Sequence, residues 1–164
     1  MKKFYSIAIV TLISMMFSVS SYAQLNLQTQ EDAAGYKTVW EYNGMYGGGC
    51  IRYMERTGVY VLLGPTNNRY EDTMASIALG DTKESALKSL EDLEKIINKE
   101  IKLPKGGFIV KAYGRGNTTI YRSNMTWAIK EDYVAGESYV LHYIGKKMND
   151  VKEAINNFNE PTES

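Results

Sequence analysis

The chain has 164 residues, with 19 basic and 19 acidic side chains, one histidine and one cysteine. A single cysteine excludes an intrachain disulfide, and one histidine with one cysteine cannot furnish a typical zinc site. The even charge balance gives no basic footprint for nucleic acid or anionic lipid.

Residues 1–23 read as a cleavable signal peptide. Lys2 and Lys3 form a positive start, Ile7 to Phe17 is an apolar run, and Ser21-Tyr22-Ala23 closes it before Gln24. The run is too short for a membrane span, which needs about 20 apolar residues. Cys50 lies too far beyond it to carry a lipid anchor. The chain is therefore expected to be exported, to the periplasm or outside the cell. Cleavage takes two of the 19 basic residues and no acid, leaving a net charge of about −2. Residues 24–35 read as a flexible leader, 36–160 as a single domain and 161–164 as a frayed tail.

From Tyr36 the pattern alternates. Tyr36, Thr38, Trp40 and Tyr42 are expected on one strand face, with Lys37, Val39 and Glu41 on the other. Gly44 to Gly49 reads as a loop whose glycines either let another backbone come close or simply flex. Strands are expected over Cys50 to Glu55, Val59 to Leu63 and Asp72 to Leu79, separated by turns at Arg56-Thr57-Gly58 and Gly64 to Asn68. Cys50 is expected to be buried as a small apolar residue.

A helix follows. Asp81 or Thr82 can cap it, Glu84 stands where a capping box puts an acid, and Ala86, Leu90, Leu93 and Ile97 form its apolar stripe. Leu103-Pro104-Lys105-Gly106 ends it. Strands resume over Gly107 to Tyr113, turn at Gly114-Arg115-Gly116-Asn117, and continue as one long strand from Thr119 to Lys130. Ser138 to Ile144 is the last expected strand and carries His142. A second helix is expected from Lys147 to Asn159, with Met148, Val151, Ile155 and Phe158 on its stripe.

These elements make an α+β domain: one antiparallel sheet of six to seven strands with two helices on one face. Gly80 and Gly145 each precede apolar residues at six, ten and thirteen positions. That spacing predicts two similar β-meander-plus-helix halves.

No pattern implies a cofactor or a metal. The acidic pairs Glu31-Asp32, Glu71-Asp72 and Glu131-Asp132 lack calcium-loop spacing and read as solvated turn residues. His142 reads as a residue of a sheet face. The compositional excess is in aromatics, with 13 Tyr and 2 Trp against 4 Phe. Such rings stack on sugar or peptide faces while keeping a polar tip. Tyr36, Trp40, Tyr42 and Tyr46 lead into the glycine loop and are the candidate ligand-binding residues. The expected function is a non-catalytic binding or interaction domain for a glycan, a peptide or another exported protein. The alternative class is a small hydrolase using paired carboxylates on cell-envelope or extracellular glycans.

Overall fold

The computed structural model describes residues 35–44 and 47–161. The signal peptide, all but the last residue of the leader, and Tyr46 lie outside them. The described chain is α+β. Strands β1 (Tyr36–Gly44), β2 (Gly47–Met54), β3 (Val59–Pro65) and β4 (Met74–Gly80) form one antiparallel meander. Helix α1 (Lys83–Ile97) follows. Strands β5 (Phe108–Lys111), β6 (Asn117–Ser123) and β7 (Thr126–Glu131) form a second meander, and helices α2 (Val140–Lys146) and α3 (Met148–Asn157) close the fold. Among the described residues no helix is long and apolar enough to cross a membrane.

The expected single sheet is thus two, of four and three strands, and the expected two helices are three. The peptide groups of Ser76 in β4 explain the division. Its N–H donates to the Glu131 carboxylate at 2.6 Å, and its C=O accepts from the Thr118 hydroxyl at 2.6 Å. The Ser76 hydroxyl donates to the same carboxylate oxygen at 2.8 Å and accepts from the Tyr113 N–H at 3.0 Å. Side chains of the second sheet therefore occupy polar groups that a ladder would have used. Backbone pairing joins the halves elsewhere. Ser138 exchanges two hydrogen bonds with Ile129 of β7 and also bridges Thr66, just after β3.

Glu131 corrects the reading of its acidic pair as solvated. It is buried at 8 % exposure, because Ser76 supplies the donors that water would otherwise give. Asp132 does serve a turn, accepting from the Asn117 N–H at 3.0 Å.

One apolar core is shared by both sheets and all three helices. It joins Ile51, Tyr60, Leu62 and Ile77 to Ile120, Trp127 and Ile129, with Leu90 and Leu93 of α1, Leu141 and Ile144 of α2, and Val151 and Ile155 of α3. On β3, Tyr60 and Leu62 face this core. Val61 on the opposite side is also fully buried, so the first sheet is not simply open on its second face.

Two segments differ from the alternation reading. Ser138 to Ile144 is not a strand: Val140, Leu141 and Ile144 are buried at helical spacing, and His142 points to solvent from α2. Short apolar runs satisfy both periods, and packing against β7 and β2 selects the helix. Thr119 to Lys130 is a hairpin. Asn124 (φ 46°) and Met125 (φ 65°) turn the chain, the double left-handed geometry of a type I′ turn. Tyr121 and Trp127 therefore fall on opposite faces, and Met125 stands exposed at the tip.

Helix α1 follows the sequence closely. Thr82 caps it, with Ser85 completing the capping box in place of Glu84. Ala86, Leu90, Leu93 and Ile96 are buried, and Ile97 packs at the edge of the core. The matched spacing after Gly80 and Gly145 is not a structural repeat. Gly80 ends a strand at φ +142°, whereas Gly145 lies within α2, where a Cβ would come 3.0 Å from Ile97. The C-terminal segment is tied at residue 160. The Glu160 carboxylate accepts from the buried Tyr60 hydroxyl at 2.8 Å. Burial, and then that carboxylate, hold the Tyr60 phenol well above its ordinary range.

Candidate functional site

The expected aromatic surface is split by a β-bulge. The register of β1 against β2 slips between Thr38 and Trp40. A bulge adds one residue and reverses the side-chain phase beyond it. Tyr36 and Thr38 therefore lie on one face, and Val39, Trp40 and Tyr42 on the other. Tyr36 receives the Arg52 guanidinium 4.0 Å from its ring centroid. Trp40 and Tyr42 stack at 6.4 Å with planes 11° apart, and Tyr42 meets Tyr143 of α2 at 5.8 Å. These rings are half-buried, and Trp40 packs on the core. They form a joint between β1 and α2.

A different part of the molecule converges on open space. The linker between α1 and β5 passes the β6–β7 hairpin and leaves a cleft of about 310 Å³. It is lined by Lys99, Ile101, Lys102, Leu103, Arg122 and Trp127. Three of the six are cations and none is a carboxylate. Glu100, the one acid of the linker, is not among them.

Two of the three cations reach the cleft for identifiable reasons. Trp127 faces the core beside Ile129, and its Nε1–H donates to the Ile97 carbonyl at 3.1 Å. That bond satisfies one of the free carbonyls at the end of α1 and fixes the hairpin against it. Arg122 pairs with Trp127 across β6 and β7, and its guanidinium lies 5.3 Å from the ring centroid. An Nη2–H donates to the Met125 carbonyl in the turn. The guanidinium is thus held from two sides before any ligand arrives, and Arg has five N–H donors in all.

Lys99 is placed by the helix end. The Glu100 N–H donates to the Lys95 carbonyl at 2.9 Å and the Lys99 N–H to the Ile96 carbonyl at 3.1 Å. This is a Schellman motif with Lys99 in the left-handed position (φ 63°) that glycine normally fills. A residue with a Cβ is strained there by roughly 1–2 kcal/mol. Replacing Lys99 by Gly is expected to raise the free energy of unfolding by about 0.5–1 kcal/mol in urea titration, part of the gain being offset by the more flexible unfolded chain. A loss of stability would show that the Lys99 side chain pays for its own backbone strain through contacts in the fold.

A second depression of about 530 Å³ adjoins the first and shares Leu103 and Arg122 with it. It adds Pro104, Gly106, Gly107, Thr119, Tyr121 and Lys130. Lys130 and Thr119 are cross-strand partners on the outward face of the second sheet. The Tyr121 hydroxyl donates to Glu137 at 2.8 Å, which fixes its ring.

No family model matches this chain, and neither curated proteins nor solved structures give a match.

Cys50 is buried, as expected, and burial pushes its thiol up. It adjoins neither depression. The expected glycine loop is mostly strand instead: Gly47, Gly48 and Gly49 open β2, where a Cβ on Gly48 would come 2.3 Å from the Tyr42 carbonyl oxygen of β1. A Cβ on Gly49 would come 2.3 Å from Val140 Cγ2 at the start of α2.

The cleft was missed in the sequence for two reasons. Arg122 and Trp127 become neighbours only through the turn at Asn124-Met125. The lysines of the linker resemble an ordinary solvated segment. The available signal was their spacing: Lys99, Lys102 and Lys105 recur every third residue beside a helix end.

Proposed function

We propose that the chain is an exported, non-catalytic binding domain that takes an anionic ligand between the α1–β5 linker and the β6–β7 hairpin. The observation that carries this reading is the convergence of Lys99, Lys102 and Arg122 on one cleft whose lining has no carboxylate. It does so in a chain whose charges balance overall. Cations placed together repel one another unless an anion joins them, and Arg122 is already oriented by Trp127 and Met125. Export rests on the N-terminal sequence pattern.

The test is titration of the exported protein with galacturonate and with inorganic phosphate at low salt, followed by two-dimensional amide NMR. Shifts should concentrate at residues 99–103 and 122–127, and Lys102→Glu should weaken binding at least tenfold. Glucose, which is neutral, should produce none of this. If the anions perturb other residues, or if Lys102→Glu binds as tightly as the parent, the cleft is not the site.

A further inference from the structure

We infer that the two adjoining depressions are consecutive subsites for one acidic oligosaccharide, with Arg122 at their junction. The inference rests on the anion-binding reading above and extends it to a substrate class and a minimum length. Arg122 and Leu103 line both depressions; Arg122 shares the face of Trp127 and Lys130 lies on the other face, so a ligand spanning the two would pass around the hairpin at Arg122. The second carries its own cation, Lys130, on the outward face of the sheet. Charges in series along a groove fit a ligand with repeated negative groups rather than a single anion.

The chemistry of the second depression favours a glycan. Its walls are Thr119, Tyr121 with its hydroxyl held by Glu137, Gly106, Gly107 and Pro104. Hydroxyl and peptide groups match the alternating donors and acceptors of a sugar. A rigid aromatic or aliphatic ring packs against its C–H face. The lining combines a sheet face with the linker and offers no row of unpaired strand groups, so it gives an extended peptide no ladder to join.

The deciding experiment compares galacturonate, hexagalacturonate, hexaglutamate and phosphatidylglycerol vesicles on the exported protein, by calorimetry at fixed low salt. Hexagalacturonate should bind at least tenfold tighter than the monomer. Lys130→Glu, with Lys130→Gln as the milder variant, should reduce hexamer affinity at least fivefold and monomer affinity by a clearly smaller factor. Lys102→Glu should weaken both. Near-ultraviolet circular dichroism confirms that each variant is folded. Equal affinity for monomer and hexamer, or indifference to both Lys130 variants, overturns the paired subsites while the anion site stands. Hexaglutamate or vesicles binding as tightly as hexagalacturonate overturns the glycan assignment. Failure of every anion to bind at Lys102 removes the underlying reading itself.

Discussion

Glu131→Ala should destabilise the fold by about 3 kcal/mol and Glu131→Gln by about 1 kcal/mol, measured by denaturant titration at neutral pH. The carboxylate is buried and accepts two hydrogen bonds from Ser76, one from the main chain and one from the hydroxyl. Hydrogen bonds to a charged group contribute roughly 1.5–3 kcal/mol, and a donor stranded without a partner costs about 1–3 kcal/mol. Alanine removes the acceptor for both donors and leaves a void between the sheets. Glutamine keeps one carbonyl oxygen within reach of the same donors, and its smaller cost reflects the lost charge. If alanine and glutamine cost the same, the carboxylate is not what joins the two sheets.

Gly64→Ala should cost about 2–3 kcal/mol although it adds one methyl group, within the range for overpacking a dense interior. A Cβ at Gly64 would come 2.4 Å from Ser138 Oγ and 2.4 Å from Val140 Cβ. Neither neighbour can retreat easily. Ser138 is fully buried and hydrogen-bonded to Ile129, and Val140 is buried at the first turn of α2. Gly106→Ala serves as the contrast. Nothing lies within 4 Å of a Cβ there, so its cost comes only from the left-handed backbone at φ +94°. The two variants thus separate crowding from backbone strain. Val140→Ala removes only the Cγ1 contact at 2.9 Å and keeps both 2.4 Å contacts, so a cycle of the four proteins should show little coupling.

Local patterns carried most of the element boundaries. Thr82 and the stripe Ala86-Leu90-Leu93 mark α1, and Met148-Val151-Ile155 mark α3, because amphipathic period and capping are local properties. The first meander was also legible, since its turns carry glycine and proline. Three features were not, and each depends on contacts far along the chain. The bulge at Val39 is set by pairing with β2 and leaves no mark in β1 itself. The hairpin turn uses Asn124-Met125, where a glycine at the second place would have announced it. Helix α2 fits strand and helix periods alike, and only its packing onto β7 and β2 decides. The bulge also divides the aromatic candidates: alternation grouped Tyr36 with Trp40, and the extra residue moved them to opposite faces. The basic cleft needed the hairpin, and so was out of reach until that turn was known.

The seam at Ser76 also bears on how the molecule keeps to itself. A border strand whose amide and carbonyl groups point outward is a template on which a second polypeptide can grow. Here one carboxylate and one hydroxyl plug those groups at the middle of β4. A charge buried at such a margin also penalises any foreign strand that would displace it. One acidic side chain thus serves as both clasp and guard. Light scattering on Glu131→Ala would register the loss of the second role as self-association.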